Sequence, residues 1–278
     1  MTTPTEITPF YQFRTDLSKY ESTMVKLLKE TSNITMEKFM VTVENMVRKN
    51  DKLLEADRGS LFASILTAAE FGLEPNTPAG LSWIIPRRDS RRGNKVFAEW
   101  QIGYQGICNL LYRHPKIKKI ISEIVFTGDV FERTMGDDMN WHFKFQPGED
   151  NKRGLRRGVF AVIHLDSGEP LFTYLSSGEI EEIKAKSKSP QTYLQANDPQ
   201  GWMWKKAAVK QCSKLAPKGS TQAQSAINVD SMIEGGATVV LDEAGKVIIN
   251  KQKYKDVTKD KLNIVFGDDG VTEAEVMN

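Results

Sequence analysis

The sequence predicts an α+β fold, an antiparallel sheet of hairpins packed against helices. Short β-rich runs come in pairs around turn residues, as in 81–86 with 96–102 and 159–165 with 170–175. Apolar residues recur at helical spacing in 35–49, 60–71 and 201–215. Hydrophobic residues make up 40% of the chain and aromatics 9%, which supplies a core and excludes global disorder. The 278 residues suffice for one large or two small domains.

Residues 1–20 mix Pro, Thr and aromatics without a period and read as an arm. A short helix is expected over 22–30. In 35–49, Phe39, Val43, Met46 and Val47 share one helical face. Residues 60–71 form a second, more buried helix that ends at Gly72 and is closed by Pro75. The turn-rich run EPNTPAG leads into a strand over 81–86. A basic loop, RRDSRRGNK, separates it from its hairpin partner over 96–102. GYQG (103–106) opens a helix that His114-Pro115 stops near Arg113.

A strand follows over 117–126. Phe131 and Glu132 then face 141–145 across MGDDMN. A basic loop at 152–158 precedes strands 159–165 and 170–175. Ser176 and Glu179 have capping-box spacing, so a helix starts there and runs to about Lys186. A polar connection leads to the lysine-rich helix. Residues 219–237 are rich in Ser, Gln, Gly and Ala and read as a linker. A small hairpin is expected over 238–249, and the end is acidic. The resulting division is an arm at 1–30 that is a candidate oligomer contact, a core domain at 31–219, and a linker with an acidic tail at 220–278.

The run GWMWKKAAVKQCSKLAPKG (201–219) holds five lysines and no acid. Lys206, Lys210 and Lys214 fall at i, i+4 and i+8, and Trp204, Ala208, Cys212 and Leu215 line another face. Like charges four residues apart repel by about 0.2–0.5 kcal/mol per pair. An external polyanion is one remedy; a solvated face is the plainer reading. Net charge is +2, unevenly placed: ten acids and six lysines from residue 221 on leave −4 there and +6 on the first 220 residues. That split suits a body that meets a nucleic-acid backbone and a tail that meets protein.

Three further basic clusters share the body: Arg87, Arg88, Arg91, Arg92 and Lys95; Arg113, Lys116, Lys118 and Lys119; Lys152, Arg153, Arg156 and Arg157. Trp83, Phe97, Trp100, Tyr104, Tyr112, Trp202 and Trp204 interleave with them. Cations neutralise phosphates without reading sequence, and aromatics stack unpaired bases. Core packing is the expected place for Phe97, Trp100 and Trp204. Tyr104, between glycines, is expected where something approaches closely.

Cys108 and Cys212 lie far apart and in no CxxC pattern, which argues against a disulfide framework or structural zinc. His114, His142 and His164 are scattered. There is no P-loop, GxSxG or GxGxxG motif, so no cofactor is expected. The N-terminus has no signal-peptide pattern and no apolar run reaches membrane-span length, so a soluble, intracellular chain is expected. Glu99, Asp129, Glu132, Asp137 and Asp138 keep open a second class, a metal-dependent DNA-processing nuclease.

The runs LFASILTAAEFGLEPNTPAGLSWIIPR, EWQIGYQGICNLLYR, FTGDVFE and MWKKAAVKQCSKLAPK stand in one order over about residues 55–218. Together they resemble the RecT family of phage single-strand annealing proteins. The resemblance implies an antiparallel sheet with a long packed helix and a basic DNA-binding groove. It implies a protein, not an enzyme, that coats single-stranded DNA, pairs it with a complementary strand without ATP, and holds the nascent duplex in homo-oligomeric rings or filaments during homologous recombination. A phage exonuclease and a host single-strand-binding protein are the implied partners, and the cytoplasm of a bacterial host the implied location. Lys205, Lys206 and Lys210 match the family's basic helix. With Lys214, Arg87, Arg88, Tyr104, Arg113, Lys116 and Arg156 they are the expected DNA-binding residues.

Overall fold

The computed structural model describes residues 8–31, 34–90, 93–137, 141–168, 170–217, 221–242 and 245–250. Arg91, Arg92, Asp138, Lys218 and the acidic end lie outside them. The fold is α+β with antiparallel sheets.

Helices α1 (Pro9–Ser18), α2 (Glu21–Thr31) and α3 (Met36–Lys49) come first. Residues 9–18 are therefore helical where an arm was expected: Thr8 caps them by accepting from Tyr11 N, and Phe13 and Leu17 are buried. Thr35 caps α3 in the same way, and Phe39, Val43, Met46 and Val47 form its buried face. Helix α4 (Arg58–Phe71) is buried on all sides, with eleven of its fourteen residues in the interior. Its buried hydroxyls are satisfied. Ser64 Oγ donates to Ala98 O and Ser60 Oγ accepts from Ala98 N, both at 3.0 Å. Those bonds tie α4 to the hairpin of β1 (Ser82–Asp89) and β2 (Lys95–Ile102). Gly72 ends α4 at φ 61°.

Helix α5 (Tyr104–Tyr112) leaves that hairpin directly. A Cβ at Gly103 would lie 2.0 Å from Gly80 O, and one at Gly106 would lie 2.0 Å from Leu81 O. The turn-rich run 74–80 and the GYQG run are thus two sides of one backbone contact.

Strands β3 (Ile117–Phe126), β6 (Arg156–Leu165) and β7 (Pro170–Ser176) form a sheet in the order β3-β6-β7. Central β6 is buried on both faces. Val159, Ala161 and Ile163 join the main core beneath α7 (Trp202–Cys212). Phe160 and Val162 meet the hairpin of β4 (Val130–Met135) and β5 (Trp141–Gln146) through Phe131, Phe143 and Phe145. Helix α6 (Ser177–Lys186) begins with the expected capping box of Ser176 and Glu179.

Residues 221–234 form helix α8 where a linker was expected. Ala223, Ala226, Ile227, Asp230 and Ile233 recur three or four apart and are buried. Strands β8 (Thr238–Leu241) and β9 (Val247–Asn250) form the expected terminal hairpin, and β8 packs on α4. Helices α4, α5, α7 and α8 and the β1–β2 hairpin therefore share one core, while the β4–β5 hairpin packs on a second, smaller cluster across β6.

Gly106→Ala is expected to destabilise the fold by about 3 kcal/mol, because the added methyl meets a backbone oxygen that only a main-chain shift can move. Urea unfolding checks this; a change below about 0.5 kcal/mol would show that the helix–loop contact is loose.

Candidate nucleic-acid interface

The lysine stripe of α7 does not face solvent. Lys206 is buried, 6% exposed, with its ammonium 3.1 Å from Asp230 and 3.5 Å from Glu234. Lys210 lies 3.0 Å from each of the same carboxylates. Asp230 also accepts from Ile102 N at 3.1 Å. The counter-ion that the lysines require is internal and stands on α8. Burial works against charge on Lys206, but Asp230 and Glu234 outweigh it and hold its pKa above the usual lysine value. Burial likewise works against the Asp230 carboxylate, and Lys206 and Lys210 hold its pKa below the usual range.

Other expected residues are also engaged within the chain. Arg113 donates to the carbonyls of Phe71 (3.0 Å) and Gly72 (3.3 Å) and to Gln222 Oε1 (3.0 Å), which covers the open carbonyls at the end of α4. Burial lowers its pKa. Arg156 is buried, donates to Asp198 O, and stands 5.5 Å from the Trp204 ring centroid; its Nε and Nη1 have no partner. Burial lowers its pKa despite the Asp198 charge. Lys205 pairs with Glu123 at 3.0 Å. Tyr104 is half-buried with its ring 5.4 Å from that of Trp202, and burial pushes its phenol up.

Arg87 lies 3.1 Å from Glu99, an ionic approach outside hydrogen-bond alignment, and donates to Ser189 Oγ at 2.9 Å. Lys188 meets the other Glu99 oxygen at 2.6 Å. Arg88, Lys116 and Lys214 are exposed, and Arg88 donates to Asn94 O. The expected residues thus do not form one patch.

What the fold brings together is a groove. An open cleft of about 1080 Å³ lies between β1, the end of α6 and the α8–β8 corner. Arg87, Arg88, Lys186 and Lys188 line it. A depression of about 280 Å³ shares its Lys186, Ser187 and Glu234 wall. A third, of about 190 Å³, continues past Tyr193 and Glu234 to Lys210 and Lys214. Among the described residues Arg88, Lys186 and Lys214 meet no carboxylate within ion-pair distance, while Glu99 and Glu234 are already paired. Lys186 and Lys188 are not among the site residues that the sequence predicts. The only signal was their alternation in AKSKS, at the junction of a helix and a polar connection.

Two of the acids considered for metal chemistry, Glu99 and Asp129, are engaged within the chain. Glu99 sits between Arg87 and Lys188. Asp129 accepts from Arg153 at 2.8 and 2.7 Å and from the backbone of Phe126 and Gly148. Burial opposes its charge, but these donors bring its pKa down to about 2. Among the described residues no group of three or more His, Cys, Asp or Glu is placed to hold a metal ion. None of the described helices is long and apolar enough to cross a membrane.

Asp230→Ala is expected to cost about 3–5 kcal/mol, because it leaves buried ammonium charge without its shared partner. A double-mutant cycle with Lys206→Ala should recover a large part of that loss, and strict additivity would count against the cluster. The pH dependence follows from the two directions. Asp230 titrates lower in the fold than in the unfolded chain, so its contribution is full above about pH 4 and is lost as pH falls through the folded value. Lys206 titrates higher in the fold, so its contribution is full below about pH 10 and is lost as pH rises through the folded value.

The sequence profile of the RecT family matches residues 37–242, which takes in every element from α3 to β8. Protein RecT of Escherichia coli strain K12 is 26% identical over 204 residues, covering 71% of this chain and 72% of that protein. The match includes α8, so the helix that supplies Asp230 and Glu234 lies within the shared region. This chain belongs to the RecT family.

Proposed function

We propose that this chain is a single-stranded DNA-binding and annealing protein that works without ATP. It pairs complementary strands within a homo-oligomer during recombination. Family membership supports the recombination and annealing role. The single observation behind the DNA path is the groove from Arg88 to Lys214, in which Glu99 and Glu234 are already paired while, among the described residues, Arg88, Lys186 and Lys214 meet no carboxylate within ion-pair distance. The absence of a GxxxxGK[ST] run from the sequence is compatible with a nucleotide-free mechanism.

The mechanism is electrostatic and geometric. Two strands repel each other until cations neutralise their phosphates. A groove that grips backbones and reads no base edges leaves those edges free to test a second strand. Correct pairs then lock by stacking, at about 1.4 kcal/mol per step. One protomer spans few bases, so small steps must be summed along an assembly.

Complementary oligonucleotides incubated with the protein in EDTA, without nucleotide, should anneal with no loss of strand length. Strand shortening dependent on a divalent metal would favour the nuclease reading instead. Affinity for a single strand should fall with log salt at about −0.7 per contacted phosphate, and Arg88→Ala or Lys214→Ala should each lower that slope by about one such unit. A slope unchanged in both variants would place the DNA elsewhere. Gel filtration should show an oligomer with DNA, and a strict monomer that anneals fully would refute the assembly step.

A further inference from the structure

The opposite end of α7 carries a surface that the groove does not use. Trp202 leads the helix and is 40% exposed. Its position is fixed from several sides. Gly201 adopts φ 71°, and a Cβ there would lie 2.7 Å from the Ile124 side chain, so only glycine brings this helix end so close to β3. Trp202 Nε1 donates to Gln200 Oε1. The Tyr104 ring backs the indole at 5.4 Å and 41°, and the Lys205 ammonium stands 5.7 Å from the indole ring centroid. A large aromatic is thus held rigid and partly bare.

Beside it lies a depression of about 400 Å³, lined by Trp202, Gln200, Pro199, Phe126, Lys205 and Arg153. That volume is at the low end of small-molecule pockets, which span about 300–1,000 Å³. Its charges are already answered. Lys205 faces Glu123 at 3.0 Å, and Arg153 is held by Asp129 at 2.7 Å. The helix N-terminus is occupied too, since the Asp198 carboxylate accepts from Trp202 N and Met203 N at 2.9 Å each. A phosphate would therefore find no free donor set here. What the site offers is an aromatic face and an amide at its rim, the chemistry that receives a neutral planar ring.

We propose that Trp202, backed by Tyr104, is a stacking platform for one unpaired nucleobase of the bound strand. The proposal rests on the single-strand-binding reading above and adds a contact of a different kind. Lysines and arginines in the groove hold phosphates through charge; Trp202 holds a base through its face. Trp202 opens α7, a helix about 16 Å long, and the groove passes beyond its other end at Lys214. Stacking consumes the face of a base and leaves its Watson–Crick edge exposed, so the contact is compatible with pairing to a second strand. Because the local cations are neutralised, the contribution of Trp202 to affinity should not depend on salt.

The test compares full-length protein on an oligothymidine and on an abasic oligonucleotide of equal length, which carries the same phosphates. The wild type should prefer the base-bearing strand by about fivefold or more. Trp202→Ala should abolish that preference at both low and high salt and leave the salt slope unchanged; Trp202→Phe should keep most of it. An undiminished preference in Trp202→Ala would overturn the stacking site and leave the annealing function standing. Failure of the wild type to bind either strand would overturn the DNA reading itself. Photocrosslinking of the wild type to an oligonucleotide containing 5-iodouracil needs no variant to fold. A crosslink mapped to Trp202 or Tyr104 supports the platform, and crosslinks confined to other residues refute it.

Discussion

The charged cluster between α7 and α8 is the constraint on which the rest of the molecule turns. Lys206 and Lys210 come from the helix that covers the three-stranded sheet. Asp230 and Glu234 come from the helix that packs on β2, and Asp230 also accepts from the Ile102 backbone. One set of ion pairs therefore joins the sheet half to the half built around α4. Charge buried in this way does not necessarily add net stability, because desolvation consumes much of the attraction. What it does impose is pairing: none of the buried members can be left alone without a cost of several kcal/mol. The relative position of α7 and α8 is thereby set, and with it the groove that runs along α8 from Lys214 to Arg88.

Much of the fold was legible because hydrophobic period is a local signal. Phe39, Val43, Met46 and Val47 mark one face of α3, and the paired β-rich runs mark β1-β2 and β6-β7. Gly72 and the Ser176–Glu179 box mark helix ends because capping uses few residues at fixed offsets. Helix α8 gives a weak periodic signal because its buried face mixes two alanines and two isoleucines with an acid in the middle. An aspartate at a core position reads as solvent exposure unless its partner is known, and its partners lie 20 and 24 residues away. The first helix is weakly marked for a related reason: two buried residues, Phe13 and Leu17, give too short a period to read.

The candidate site was less legible, and the reason is physical. A lysine carries the same letter whether it meets a phosphate or a carboxylate. Lys206 and Lys210 read as an outward stripe because the acids that neutralise them stand in a run rich in Ser, Gln, Gly and Ala that has the composition of a linker. Arg113 and Arg156 looked like parts of basic clusters, yet one covers helix-end carbonyls and the other is buried against a backbone oxygen. Charge density along a sequence records where cations are made; only the fold decides which are left over. Arg88, Lys186 and Lys214 are left over, and two of them border turns or connections that carry no periodic signal.

An annealing protein has conflicting needs: firm enough contact to overcome the repulsion between strands, and loose enough contact that a wrong partner can leave. Contacts to base edges would meet the first need and defeat the second, since each would have to break before pairing. Phosphate contacts avoid that conflict, and so does a stacked face. The arrangement around α7 is consistent with such a division. Its own stripe of charge is spent inside the protein on α8, so its lysines are fixed structural parts. On the proposed reading, the cations available to DNA come from the groove walls beside α8, and the aromatic at the far end of α7 would add a contact that charge screening does not weaken. Affinity drawn from two physically different sources, neither touching the pairing edge, allows a strand to be held while its sequence is still being tested.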